Sequence, residues 1–589
     1  MTARTSTFTK ATMTERAAGM VVAAVCAFVG APALAVASGD TAYKAIEKAY
    51  FAQNFKTNPI SATMAGIHDD DARLGSFAAT DYAAQLATDR AYLAKLAALD
   101  RTTLSPEVAI DATMLANSLH DDLVINGELA TWRHNPDLYV NLASGGVYAV
   151  VERAYAPVAT RARYAIAREL AIPTLVAQAE ANLTSSDLTT ARLAAEDARG
   201  SEDFFVKAVP QALGTIGDPA LAAELARADA VARDALASYA AWIDSHLVAH
   251  PSGTYAIGAK AYSERLKYEE ALDIPLARYL QTGEDALAAT RAEFVAAANT
   301  IDPAHSPEAV ADAIKTVHPT AANLLPAAQK DLVALRAFIV EHKLLTLPAE
   351  ADINVIETPV FQRQTTFASM DAPGPLESVA THAFYNVTPV DTAKPLAEQN
   401  DYLGFFNDFN RPIVSAHEVY PGHYVNFTID KQLPLSLTRR LLWTTSFGEG
   451  WAHYDEQMIV DEGWGGGDPR VRLAQLGGAL VRECRYIVGV REHTAGMTVD
   501  EATSFFMKNA FMARDPAHRE ALRGTQDATY GYYTLGKLEI LKLRADMQKK
   551  LGPSFSLQAF HDQLLAHGDP PIPLLRPLLL GSSDDGKVL

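Results

Sequence analysis

The amino-acid sequence predicts a mainly α fold with one small antiparallel β-sheet beside a helix that carries a histidine-glutamate motif. Three observations predict it. From Thr41 to about Glu350 the chain is dominated by Ala, Leu, Glu, Asp and Arg, and apolar residues return every three or four positions. Between about 351 and 390 the composition turns β-branched and aromatic. Helical periodicity then resumes near Leu396 and holds to the end of the chain. With 589 residues, 49% hydrophobic and 21% charged, the chain can bury a large core in one or two lobes.

The N-terminus reads as a targeting segment. Arg4, Lys10 and Arg16 precede an apolar run from Gly19 to Gly30, and Ala33-Leu34-Ala35-Val36-Ala37 offers small-residue cleavage sites. Cleavage is expected after Ala37, with Ala35 as the second choice and Met13 as an alternative start. The run falls short of the roughly 18 apolar residues of a membrane span, and Cys26 follows Val25, which suits a lipid-attachment site poorly. Residues 1–37 are therefore expected to be a cleaved signal peptide, giving a periplasmic or secreted protein with no transmembrane anchor in the mature chain. Only Cys484 then remains, so no intrachain disulfide can form. A formal net charge of −19 argues against a nucleic-acid partner, because phosphate binding needs a basic face.

In the long helical region the run Tyr82, Leu86, Tyr92, Leu93, Leu96, Leu99 typifies the pattern. Pro59, Gly145-Gly146, Pro173, Pro210, Gly217, Pro251-Ser252-Gly253 and Pro303 are expected to punctuate a stack of antiparallel helices. His120, His134, His246 and His250 are isolated there and read as surface or hydrogen-bonded residues. Residues 353–370 and 382–390, separated by Ala372-Pro373-Gly374-Pro375, are expected to form the small antiparallel sheet. An edge strand there could hold an extended substrate by main-chain pairing; a hairpin that only stabilises the fold is the alternative. Later helices are expected to carry His417 and Glu418, to run from about Leu441 to Val460 and from Val471 to His493, and to include Tyr533 and Leu538 to Arg544. Proline-rich residues 570–580 close the chain.

The chemistry gathers at His417-Glu418-Val419-Tyr420-Pro421-Gly422-His423 and at Glu449-Gly450-Trp451-Ala452-His453-Tyr454. Zn²⁺ favours nitrogen and oxygen donors of this kind, and the common H-E-x-x-H motif places two histidines at i and i+4 of one helical face. Here the second histidine is at i+6, which on a straight helix lies roughly 120° off the first face. Pro421 has no N–H for the His417 carbonyl, and it pushes Tyr420 out of the α region. Gly422 is free to turn. The helix should break after Glu418 and curl His423 back. His417, His423 and Glu449 are the expected ligands of one zinc ion, with Glu418 as the base that takes a proton from water. Glu449, His453 and Glu456 share a helix face, and one of them could orient a ligand imidazole. For His453 a solvated helix face is the plainer reading. An oxyanion donor is also needed, and Tyr530, Tyr532, Tyr533 and His493 are all candidates. Cys484 reads as core. No serine-hydrolase elbow, phosphate loop or dinucleotide fingerprint is present.

These residues resemble the bacterial domain-of-unknown-function 885 family, which looks related to the helical zincin peptidases of the angiotensin-converting and thermostable-carboxypeptidase type. The likeness covers nearly the whole mature chain. It runs through Asn58-Pro59, Thr63, Gly66, His68 and Asp71, then His417-Glu418-x-x-Pro421-Gly422-His423 and Glu449-Gly450-Trp451-Ala452-x-Tyr454-x-Glu456. It continues through Arg485 with His493, Tyr533-x-x-Gly536 with Leu543-Arg544, and Phe560-His561-Asp562 with His567-Gly568. Gly489 stands where many relatives carry Asp, Arg491 where they carry Gly, and His453 where an apolar residue is usual. The resemblance implies a large two-lobed, zincin-like helical fold around a deep cleft. Residues 38–350 would form one helical lobe and 351–589 the catalytic lobe, as one integrated unit. It also brings Tyr533 and His493 forward as oxyanion or substrate-binding groups.

The expectation is an exported zinc-dependent hydrolase acting on a short peptide or small amide. An amidase on a non-peptide acyl amide and a catalytically silent helical binding protein are the alternatives.

Overall fold

A computed structural model describes residues 38–348, 353–359, 363 and 366–589. The expected signal peptide, and part of the segment expected to form the first strand, lie outside the described residues. Helices dominate the remainder, and none among the described residues is long and apolar enough to cross a membrane.

The helices used below are α1 (Ser38–Thr57), α2 (Pro59–Ala65), α3 (Asp137–Val151), α4 (Val158–Asn182), α5 (Pro219–Ile243), α6 (Leu276–Ile301) and α7 (Leu324–Glu341). After the sheet come α8 (Arg411–Glu418), α9 (His423–Gln432), α10 (Thr445–Asp461), α11 (Pro469–Thr494), α12 (Tyr532–Leu551) and α13 (Ile572–Leu580). Local chemistry explains several boundaries. Asp218 caps α5 by accepting from the Ala220 and Leu221 N–H groups at 2.9 and 3.3 Å, and Pro219 follows at the first helical position. Some of the expected breaks are not breaks. Pro173 lies inside the 25-residue α4, whose two halves are both buried against their neighbours, so packing overrides the lost backbone bond. Gly145-Gly146 lie inside α3. A Cβ on Gly146 would come within 2.4 Å of Leu74, so that glycine allows a close helix approach. Within proline-rich residues 570–580, Ile572–Leu580 form helix α13, with Pro573 in its first turn.

Among the described residues, the two largest apolar cores organise the fold. One joins α3, α4 and α5 through Val147, Ile172, Leu175, Leu225 and Tyr239. The larger one surrounds the motif and draws on both sides of residue 350, from Leu287 and Phe294 on α6 and Leu332 on α7 to Trp451, Cys484 and Ile540. Cys484 is buried and unpaired with another cysteine.

The sheet is mixed and three-stranded, in the order β1 (Asn354–Glu357), β3 (Phe384–Val387), β2 (Ala368–Asp371). Strands β2 and β3 are antiparallel as expected, with Met370 opposite Tyr385. The β1–β3 pair is parallel, with Val355 opposite Tyr385. The two predicted segments do not form one hairpin, because β3 inserts between β1 and β2. Being central, β3 is the most buried strand, with Tyr385 and Val387 fully covered, and Tyr385 Oη lies 3.2 Å from Ser415 Oγ on α8. Strand β2 is left as an edge beside that helix.

Candidate metal centre

The motif helix α8 ends at Glu418, and the chain turns through Val419 to Gly422 before α9 starts at His423. The Gly422 N–H donates to the Ala416 carbonyl at 2.9 Å, which closes the turn. A Cβ on Gly422 would sit 1.8 Å from the His417 carbonyl oxygen. Glycine is required there for close backbone approach, and its φ is negative. The Trp451 indole N–H donates to the Pro421 carbonyl at 3.1 Å, so α10 braces the turn that it faces.

This turn brings the two imidazoles together, with ring centroids 4.8 Å apart and planes 86° apart. Glu449 reaches in from α10. One donor atom from each of His417, His423 and Glu449 lies within 4.8 Å of the others. Glu449 Oε2 stands 3.5 Å from His417 Nε2 and 3.4 Å from His423 Nε2. It is buried and makes no hydrogen bond. Such an orphaned carboxylate oxygen, facing two imidazole nitrogens, is a donor set that fits a divalent cation of zinc type.

The surrounding charges agree. Glu456, two turns along α10 from Glu449, puts Oε1 2.8 Å from His417 Nδ1 and 2.9 Å from the Arg482 guanidinium. It therefore holds one ring nitrogen and leaves Nε2 turned toward Glu449. Burial opposes a charge on His417, but Glu449 and Glu456 outweigh it and raise its pKa to about 10. Burial likewise opposes charge on Glu449, yet the neighbouring imidazoles hold it well below the ordinary carboxylate range. The site calls for a positive charge between these acids, and protons and metal ions compete for such a place.

Glu418 does not join the three donors. Its Oε2 accepts from the Met370 N–H on β2 at 2.9 Å, and burial pushes its pKa up against the pull of His417 and His423. Tyr533, on α12, stacks toward His417 with centroids 6.5 Å apart. Three guanidinium groups surround its ring, those of Arg485, Arg482 and Arg523 at 5.2, 5.4 and 6.0 Å. Burial raises the pKa of its hydroxyl, and Glu449 adds to the rise. Helices α10 and α12 can meet closely because a Cβ on Gly450 would come within 2.4 Å of the Gly536 Cα.

The other tyrosine candidates are engaged elsewhere. Tyr530 is fully buried and contacts the Glu520 carbonyl at 3.4 Å. Tyr532 donates to Asp527 at 3.1 Å and accepts from Arg523 at 3.0 Å. His493 is not brought into contact with the cluster. Its Nε2 faces the Gly524 carbonyl at 2.7 Å and its Nδ1 accepts from the Ile257 N–H at 3.4 Å, so both ring nitrogens are used by main chain. The reading of His453 as a solvated residue is corrected as well. It is fully buried, with Nδ1 3.3 Å from Glu456 Oε2, because the helix face it shares with Glu449 and Glu456 is turned inward.

Sequence reasoning left out the Met370 N–H, which is main chain and carries no side-chain signal. It also left out Arg482 and Arg523. The i, i+3 spacing of Arg482 and Arg485 on α11 was the one available hint. A cavity of about 630 Å³ lies at the N-terminal end of α10, bounded by Asp121, Arg265, Glu270, Trp443 and Tyr532 among others.

Fold and site together define a large helical protein with a turn-linked pair of histidines facing a glutamate. The chain belongs to the bacterial family described as "Bacterial protein of unknown function (DUF885)", whose profile matches residues 59–579. Among solved structures it is similar to a "putative lipoprotein of unknown function" from Shewanella oneidensis, at 24% identity and a TM-score of 0.79, covering 91% of this chain and 99% of that one. It is also similar to a "putative lipoprotein" from Colwellia psychrerythraea, at 18% identity and a TM-score of 0.75, covering 94% of this chain and 100% of that one. These likenesses establish the fold. Comparison with curated proteins returned no match.

Proposed function

We propose that this chain is an exported zinc-dependent hydrolase that cleaves peptide or amide bonds in short substrates. The observation that carries the reading is the convergence of His417 Nε2, His423 Nε2 and the orphaned Glu449 Oε2 beside a second acid, Glu418, that is not one of the three. Zinc held by those three residues would polarise the scissile carbonyl and acidify a water molecule. Glu418 takes the proton from that water and passes it to the leaving amine. The Met370 N–H keeps one carboxylate oxygen of Glu418 occupied and so fixes which oxygen does this work. Tyr533 donates its hydroxyl hydrogen to the developing oxyanion, and the guanidinium groups around it stabilise the negative charge that builds there.

A further feature supports a peptide substrate. Edge strand β2 presents main chain next to Glu418, which suits pairing with an extended peptide. Export is supported by the basic-then-apolar N-terminal run and by the description of each of the two similar solved structures as a "putative lipoprotein".

The test is metal analysis of the purified mature protein, followed by a screen of dipeptides to decapeptides read by mass spectrometry with and without chelator. One zinc per chain with chelator-sensitive cleavage is expected. Bound zinc without cleavage of any peptide would favour the binding-protein reading. In Glu418→Gln, zinc stays bound and turnover falls by about 10²–10⁴-fold; full hydrolysis by that variant would refute the mechanism.

A further inference from the structure

The segment from Asn58 to Asp71 takes no part in the donor cluster, yet it is built with unusual care. Asp71 is fully buried as a side chain and accepts from Thr63 Oγ1 at 2.6 Å and from the Tyr155 hydroxyl at 2.5 Å. Arg168 donates to the Asp71 carbonyl and to Thr63 Oγ1, both at 2.7 Å. His68 lies flat on Tyr155, with centroids 3.8 Å apart and planes within 7°. One ring nitrogen of His68 faces Asp71 Oδ2 and the other faces Glu377 Oε2, each at 3.0 Å.

Glu377 belongs to the connection that follows β2. That connection is seated on the same N-terminal segment at its backbone. The Leu376 N–H donates to the Ala65 carbonyl at 2.8 Å. Gly66 adopts φ +93°, and a Cβ there would lie 2.3 Å from the Glu377 nitrogen. A Cβ on Gly374 would lie 2.1 Å from the Met64 carbonyl oxygen. The other oxygen of Glu377 accepts from the Val379 and Ala380 N–H groups at 2.6 and 3.2 Å, which folds the connection onto itself. Just past α3, Arg153 pairs with Asp371, the last residue of β2, and donates to the His382 carbonyl at 2.8 Å. Strand β2 is thus tied at its C-terminal end to N-terminal helices far away in sequence, and the next residue back, Met370, holds Glu418.

We propose that His68 is a positioning residue: together with Asp71 it clasps Glu377, and so holds β2 where the Met370 N–H orients Glu418. The N-terminal lobe is then part of the reaction machinery through this strand, without touching substrate. The inference rests on the hydrolase reading for its kinetic consequence and on geometry alone for the clasp.

The full chain, zinc-loaded, decides it as His68→Ala, His68→Gln and Glu377→Gln. In His68→Ala, hydrogen–deuterium exchange over residues 366–383 is expected to speed up about tenfold, reflecting a locally released segment, while zinc content stays at that of the wild type. On the best substrate from the peptide screen, kcat falls about 10- to 100-fold, as displacement of a positioned group does, and KM stays within about twofold. Glu377→Gln reproduces the loss, and His68→Gln, whose amide still donates, restores part of it. Unchanged exchange over residues 366–383 would overturn the clasp, and faster exchange with unchanged kcat would overturn the positioning role. If His68→Ala does not fold, the two glutamine variants carry the same comparison. If wild type cleaves no peptide, the hydrolase reading fails while the exchange result still decides the clasp.

Discussion

The orientation of His417 shows how much one carboxylate decides. With Glu456 Oε1 2.8 Å from Nδ1, the ring offers Nε2 to Glu449 and His423. Replacing Glu456 by Ala frees the ring to rotate and leaves Arg482 without this partner. Zinc affinity should fall about 10–100-fold, measured by competition with a chromophoric chelator. Tyr533→Phe removes only a hydroxyl, so zinc binding should persist while kcat drops by about 10²-fold or more with KM little changed. Equal kcat values for the two proteins would remove Tyr533 from the mechanism. At this scale much was legible in the sequence: His417, Glu418, His423 and Glu449 are types and spacings with a chemical meaning of their own. Glu456 was legible as a helix-face neighbour, though not as the partner of His417 in particular. His493 was misleading because a histidine tied to backbone at both nitrogens looks the same in sequence as one facing a cleft.

Elements bring the donors together through two backbone contacts. The first is the turn from Val419 to Gly422, predicted from proline and glycine chemistry, with α8 ending at Glu418 as the missing N–H of Pro421 demands. The second is the α10–α12 crossing at Gly450 and Gly536, which brings Tyr533 toward the His417 imidazole. Gly422→Ala puts a Cβ on the His417 carbonyl, so backbone must move. A loss of at least about 1–3 kcal/mol of stability is expected, together with weakened zinc binding, read by thermal unfolding and metal titration. Gly200→Ala, inside a helix with open space around the added Cβ, is the control: zinc binding should not change, and stability should rise by up to about 1 kcal/mol through helix propensity. Strand pairing was less legible. Residues 353–370 and 382–390 announced strands, but alternation within each strand does not say that β3 will sit between the other two. Pro173 and Gly145-Gly146 misled for a similar reason, since tertiary packing carried those helices through local breakers.

Across the whole molecule, the described core around the site crosses residue 350, and the N-terminal segment reaches β2 through His68. Two predictions belong here. Zinc that binds only the folded chain stabilises it, by about 2.7 kcal/mol at a free concentration 100 times Kd. Chelator should therefore lower Tm, and restored zinc should raise it. The second concerns pH. Burial opposes a charge on His68, but its hydrogen bonds to Asp71 and Glu377 outweigh this and raise its pKa above 6.5. Asp71 and Glu377 are lowered: burial opposes this, but bonds from His68, Thr63 and Tyr155 outweigh it at Asp71, and bonds from the Val379 N–H, His68 and the Ala380 N–H outweigh it at Glu377. Tyr155 and Arg168 face Asp71, and Lys431 adds its field at Glu377. A raised histidine contributes stability that is full below its unfolded value and lost as pH rises through its folded value; the lowered acids lose theirs as pH falls. The difference in Tm between wild type and His68→Ala should thus be largest from about pH 4.5 to 6.5 and shrink on the alkaline side. A difference that grows with pH would contradict this.

The central claim is that His417, His423 and Glu449 hold one zinc ion. Anomalous diffraction at the zinc edge from crystals of the zinc-loaded protein tests it most directly. A single peak is expected about 2.0–2.2 Å from His417 Nε2, His423 Nε2 and a carboxylate oxygen of Glu449. A fully zinc-loaded crystal with no peak among those three atoms would contradict it.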